Sequence, residues 1–107
     1  MVHESVLLHE AIDGLEIADG DTVVDGTLGN GGHSEAILSS GKNVHVIAID
    51  LDLDAIGRSK ERLAPFAGKV TFVNDSFKNI STILTDLNIE KVSGIVFDFG
   101  LSSNQLE

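Results

Sequence analysis

Three carboxylates set among glycines and small polar residues are the part of this 107-residue sequence equipped for chemistry. Asp25 opens the run Asp25-Gly26-Thr27-Leu28-Gly29-Asn30-Gly31-Gly32-His33. Asp50 follows the apolar run Val44-His45-Val46-Ile47-Ala48-Ile49, 21 positions after Gly29. Asp98 follows Val92-Ser93-Gly94-Ile95-Val96-Phe97 and leads into Gly100-Leu101-Ser102-Ser103-Asn104-Gln105. A strand, a glycine turn and a helix start make a nucleotide-type site at the C-terminal edge of a parallel sheet. A carboxylate at the end of the next strand is where such sites accept hydrogen bonds from the two ribose hydroxyls.

The glycine run departs from a dinucleotide fingerprint. Counted from Gly29, the G-x-G-x-x-G pattern has Ser34 in place of its third glycine. Asp25 ahead of the glycines would set a negative charge toward a pyrophosphate. The same charge suits a ligand that carries an ammonium and a sulfonium and no phosphate, and S-adenosylmethionine is such a ligand. Asn74-Asp75-Ser76-Phe77 offers Asp75 to an adenine amino group and Phe77 to the face of the base, although Phe77 also reads as a core residue of the next helix. Asp98 and the polar residues after it stand where a substrate would approach the cofactor.

Other chemistries fare worse. Asp50-x-Asp52-x-Asp54 with Glu61 at the twelfth position imitates a calcium loop, but Ala55 replaces the glycine of its sharp turn and a strand precedes it. His3, His9, His33 and His45 share no ligand spacing and no cysteine is present, so no metal is expected. His45 reads as a packed or edge histidine, and His33 as the one histidine of the site. No G-x-S-x-G elbow points to a serine nucleophile.

Alternating elements are needed to position these residues. Leu8, Ala11, Ile12 and Leu15 predict a short amphipathic helix over 6–15, followed by a turn at Ala18-Asp19-Gly20-Asp21 and a buried strand at Thr22-Val23-Val24. A helix from His33 to Ser40 stops at Gly41, and the apolar run ending at Asp50 suits a strand covered on both faces. Ala55, Ile56, Ser59, Leu63 and Phe66 line one face of a helix from Asp54 to Phe66, interrupted near Pro65. Lys69–Val73 is a third strand, Ser76 caps a helix through Leu87, and Val92–Phe97 is a fourth strand. Strands and helices alternate without a hairpin signal, which predicts a parallel sheet with helices on both faces.

Bulk properties narrow the function. Seven basic against seventeen acidic side chains give a formal charge of −10, which repels phosphate backbones and disfavours non-specific nucleic-acid binding by these residues alone. No apolar run approaches the roughly 20 residues of a membrane span, and the N-terminus lacks a basic secretory start, so a soluble cytoplasmic protein is expected. Four strands amount to half of a doubly wound sheet. Residues 1–107 are therefore expected to be a partial domain of a longer protein, whose open fourth strand invites self-association.

Taken together, these motifs resemble the bacterial 16S ribosomal RNA cytosine-N4 methyltransferases. The resemblance rests on His3-x-x-Val6-Leu7-Leu8-x-Glu10, Asp25-x-Thr27-Leu28-Gly29-x-Gly31-Gly32-His33-Ser34, Ile49-Asp50-x-Asp52-x-x-Ala55-Ile56, Ser76-Phe77 and Asp98-x-Gly100-x-Ser102-Ser103-x-Gln105-Leu106. It implies an α/β, Rossmann-like class I methyltransferase fold, with the first four strands in the order 3-2-1-4. It further implies that Gly31, Gly32 and His33 contact S-adenosylmethionine, that Asp50 holds its ribose and Phe77 its adenine, and that Asp98 and Gln105 complete the pocket. Ser5, Leu53 and Asn104 stand at usual proline positions of that family, Asn30 at a commonly basic one, and Glu107 at a usual aspartate.

The implied reaction is in-line methyl transfer to the N4 of a cytidine in 16S rRNA or the small ribosomal subunit. Asp98 is the candidate acceptor for the amino protons, with a purely cofactor-binding role as its alternative. The family is longer than this chain, and the remainder is expected to carry most RNA contacts. A non-catalytic nucleotide-binding or assembly module is the alternative reading of the whole, and a NAD-dependent oxidoreductase is disfavoured by Asp25 and Ser34.

Overall fold

A computed structural model describes residues 17–26, 29, 31–40 and 43–96 of the chain. Four strands make one parallel sheet: β1 (Thr22–Asp25), β2 (His45–Asp50), β3 (Val70–Asn74) and β4 (Gly94–Val96), in the order β3-β2-β1-β4. Val24 lies in register with Ile47 of β2 and Ile95 of β4, and Asp50 with Asn74 of β3. The expected parallel sheet and its order are both found.

β2 is central because its side chains suit no other place. Val46, Ile47, Ala48 and Ile49 are all buried, and parallel strands covered on both faces are built from such continuous apolar runs. Alternate residues serve opposite faces. On one face Val23, Val46, Ala48 and Val96 pack with Ile37 and Leu38 of helix α1 (Gly32–Leu38) and with Ile56 of helix α2 (Leu53–Arg62), closed by Leu63. On the other, Val24, Ile47 and Ile49 pack with Ile83 of helix α3 (Ile80–Asp86) and the half-buried Phe77, Ile80 and Leu84. Burying each such side chain contributes about 1.5–3 kcal/mol, so the two apolar faces hold the layers together. His45 lies where expected, part-buried in β2 with Nε2 2.7 Å from Thr71 Oγ1 on β3.

Most boundaries shift from the expected ones, and three of the differences have a local reason. The helix predicted over 54–66 ends at Arg62, and Pro65 heads a separate 3₁₀ turn, Ala64–Phe66, because proline has no N–H to continue the ladder. Asp52 takes the cap, accepting the Asp54 N–H at 2.9 Å, so the helix begins one residue early at Leu53. Ser76 does cap, through the Lys78 N–H at 3.3 Å, but what it caps is a 3₁₀ turn, Phe77–Asn79, that precedes α3. The helix expected over 6–15, the stop at Gly41 and Phe97 onward lie outside the described residues. Among the described residues no helix is long and apolar enough to cross a membrane.

Candidate functional site

The C-terminal ends of β1, β2 and β3 bring Asp25, Asp50 and Asn74 to one edge of the sheet, because parallel strands point their C-termini the same way; Asp50 is level with Asn74, and Asp25 with Ala48 two residues before it. Asp50 is the hub of that edge. Its Oδ2 accepts the Gly29 N–H at 3.0 Å, and its Oδ1 accepts the Asp52 N–H at 2.8 Å. The predicted pairing of glycine loop and strand-end carboxylate is thus present as a direct bond. About four lone-pair positions belong to an ionised carboxylate, so two bonds leave it able to accept from hydroxyl donors.

Asn74 steadies the same edge from β3. Its Nδ2 donates to the carbonyls of Asp50 (3.1 Å) and Leu51 (2.9 Å), and the Asp75 N–H donates to the Asp50 carbonyl at 3.2 Å. This leaves Leu51 71% exposed beside Asp50 and Leu53 67% exposed one turn on. Two leucines in solvent next to a carboxylate form an apolar lip.

Glycine is required at position 31. Its φ of +91° lies in the left-handed region, and a Cβ there would stand 3.2 Å from Ser59 Oγ and 3.4 Å from Ser59 Cβ. Ser59 is wholly buried on α2, and its hydroxyl donates to the Gly29 carbonyl at 3.2 Å. Gly32 and His33 begin α1 and are half-buried at the loop. Arg62, one turn beyond Ser59, reaches Glu35 of α1 through its Nε (2.9 Å) and Nη2 (2.7 Å), fastening the two helices across the loop.

Asp25 has a structural part as well. It is fully buried, and its Oδ2 accepts from Ser34 Oγ at 2.8 Å. The physical reason is that a buried carboxylate requires donors, and Ser34, itself buried in the first turn of α1, supplies one. Ser34 in place of a third glycine therefore has a structural role as well as a diagnostic one.

Asp75 and Phe77, the expected adenine-side pair, each have partners within the chain. Asp75 Oδ1 accepts from the Ser76 N–H at 2.6 Å and from Asn79 Nδ2 at 2.7 Å. The Asn79 amide first, then the Ser76 N–H, with a smaller contribution from Lys78, hold its carboxyl below the ordinary value of 3.8. Phe77 packs against the Val24, Ile47, Ile49 and Ile83 cluster, the core role that was one of its two readings, and remains half-exposed. Asp98 and Gln105 lie outside the described residues, as do Thr27, Leu28 and Asn30.

Sequence reasoning did not pick out Ser59 as a site residue, nor Asn74 as a brace. The signal for Ser59 was a hydroxyl on an otherwise apolar helix face, which implies a buried acceptor opposite it.

The profile of the MraW methylase family matches residues 1–107. The chain belongs to that family. Among MraW methylase relatives, it is 49% identical over 107 residues to ribosomal RNA small subunit methyltransferase H 1 of Acholeplasma laidlawii (strain PG-8A), covering 100% of this chain and 36% of that protein. It is 45% identical over 105 residues to ribosomal RNA small subunit methyltransferase H of Finegoldia magna, covering 98% of this chain and 34% of that protein. The chain thus spans about a third of the length of the curated relatives it matches. Among solved structures, a Streptococcus mutans protein in complex with SAH superposes with a TM-score of 0.68 at 22% identity, covering 84% of this chain and 49% of that one. For this MraW methylase chain the fold is accordingly the Rossmann-like one of class I methyltransferases.

Proposed function

We propose that the chain is the cofactor-binding part of a methyltransferase and takes S-adenosylmethionine at the C-terminal ends of β1, β2 and β3. The observation that carries the reading is the bond from the Gly29 N–H to Asp50 Oδ2, which makes the glycine loop and the strand-end carboxylate one site. The residues present fit such a ligand. Asp50 has lone pairs left for the two ribose hydroxyls, the loop at Gly31 and Gly32 presents backbone without side chains, and His33 stands at its far end. Leu51 and the exposed part of Phe77 offer apolar surface for the adenine, and Asp75 keeps a charged oxygen near its amino group. When bound, the cofactor supplies a methyl group on a sulfonium.

The substrate in this reading is the N4 of a cytidine in 16S rRNA. Support for an RNA of the small ribosomal subunit comes from the two relatives, both ribosomal RNA small subunit methyltransferases, and support for the cytidine amino group from the resemblance carried by Asp98-x-Gly100-x-Ser102-Ser103-x-Gln105. Asp98 accepts the amino proton and orients the attacking lone pair, while Gln105 completes the pocket. The formal charge of −10 supports a reading in which the RNA contacts lie elsewhere, in the two-thirds of its relatives that this chain does not span. Residues 1–107 are thus read as a partial domain that binds cofactor in the cytoplasm, turns over no RNA by itself and self-associates through the β4 edge.

Calorimetry with S-adenosylmethionine tests the site: the wild-type chain binds, and Asp50→Asn weakens binding tenfold or more, as expected for charge-assisted bonds of about 1.5–3 kcal/mol. Binding of NADH with none of S-adenosylmethionine overturns the reading. Robust methylation of small-subunit particles by the 107-residue chain overturns the partial-domain part of it, and a monomer by light scattering at high concentration overturns the self-association part.

A further inference from the structure

Gly29 is held at both ends of one residue by side chains from two different elements. Asp50 at the end of β2 takes its N–H at 3.0 Å, and Ser59 in the middle of α2 donates to its carbonyl at 3.2 Å. Ser59 is wholly buried, and the side of Gly31 where a Cβ would project faces that same hydroxyl, 3.2 Å from the ideal Cβ position. One hydroxyl therefore touches the glycine loop twice, as a donor to Gly29 and as the wall against which Gly31 rests. The loop in turn occupies one oxygen of Asp50, so loop position and carboxylate orientation are not independent.

We infer that Ser59 is a positioning residue for cofactor binding, acting through Gly29 on Asp50. The inference rests on the proposed S-adenosylmethionine site and deepens it. Ser59 does not reach the ligand. It sets the height of the loop above α2, and the Gly29 N–H then fixes Asp50 Oδ2 so that the carboxylate's remaining lone pairs face outward for the ribose. Without the hydroxyl, the Gly29 carbonyl turns to water, the loop sinks toward the space left beside Gly31, and the ligand must re-form the arrangement on binding. Preorganisation of this kind is expressed as affinity, because the ordering is already complete before the ligand arrives.

The test is Ser59→Ala in the 107-residue chain, with S-adenosylhomocysteine as the calorimetric probe and amide hydrogen exchange as a second readout. Alanine is the better helix former, so α2 itself is not weakened. A single neutral hydrogen bond of this length predicts a rise of about three- to fivefold in Kd and a similar acceleration of exchange at the Gly29 amide. Exchange at the Ile47 and Ile49 amides of β2 stays unchanged, which a merely structural role for Ser59 would not produce. The proposal is overturned if Kd and Gly29 exchange both stay within about 1.5-fold of wild type, a change too small for the loss of a bond of this kind, or if exchange rises equally across β2. A wild-type chain that does not bind S-adenosylhomocysteine overturns the cofactor reading and this inference with it. Failure of the inference alone is recognised by a wild type that binds and a variant that binds equally well.

Discussion

Replacing Gly31 by alanine separates two costs that usually arrive together. The first is backbone: at φ +91° a residue with a Cβ pays on the order of 1–2 kcal/mol, partly offset by the smaller entropy alanine loses on folding. The second is steric, because the new Cβ would stand 3.2 Å from Ser59 Oγ, tighter than ordinary contact, and Ser59 is wholly buried and bonded to the Gly29 carbonyl. Overpacking of this sort costs about 1–3 kcal/mol, so Gly31→Ala is expected to destabilise by roughly 2–4 kcal/mol. Gly20 is the internal control, since it has the same φ of +91° with nothing within 4 Å of a Cβ, and Gly20→Ala is expected to cost only about 1 kcal/mol. Urea unfolding with an unchanged m-value measures both. In a Ser59→Ala background the two substitutions converge to within about 1 kcal/mol, because the atoms that remain, the Cβ of residue 59 at 3.4 Å and Arg62 Cδ at 3.6 Å, are at ordinary contact distance. A Gly31→Ala cost no greater than that of Gly20→Ala refutes the account of the loop resting on Ser59.

Three other outcomes are expected. Ser34→Ala removes a donor from the fully buried Asp25 and destabilises by about 1–3 kcal/mol in the same urea assay; a loss under about 0.5 kcal/mol counts against the Asp25–Ser34 bond as a support of the loop. Leu53→Pro raises stability by about 0.4–1 kcal/mol, because Leu53 is the first helical residue, 67% exposed, and follows Asp52 in an extended conformation (ψ 112°) that proline favours before it; a lower melting temperature contradicts this. The Asp75 carboxyl titrates below 3.8 by NMR, and Asn79→Ala moves it up toward that value. Since its pKa is lower folded than unfolded, the stability it contributes is complete at pH above the ordinary value and is lost as pH falls through the folded one. No upward movement in Asn79→Ala means the Asn79 amide is not its main support.

Much of the fold was legible in residue types. Apolar runs that end in a carboxylate at Asp25 and Asp50 mark strands whose ends carry a site, and their spacing with intervening amphipathic stretches dictates crossovers and hence a parallel sheet. Helix ends were legible to within a turn, where Pro65 and Asp52 act locally. The segmentation after Ser76 was not, because the choice between a 3₁₀ turn and a helix at Phe77–Asn79 depends on Phe77 and Ile80 reaching the core.

The sequence by itself determined the kind of site: glycines where backbone must be bare, and Asp50 at the distance that a strand–helix–strand unit imposes. It determined the family as well, since side chains in a fixed order carry that resemblance without any contact being known. Only the tertiary structure decided which groups meet. Asp25 meets Ser34 because burial obliges it to take a donor, and Asp50 meets Gly29 because β2 runs two residues past Ala48, the register partner of Asp25, to the level of the loop that follows β1. Ser59 became part of the site because α2 packs across the sheet and sets its hydroxyl under the glycine loop, a proximity spanning 30 positions of chain that no local pattern encodes.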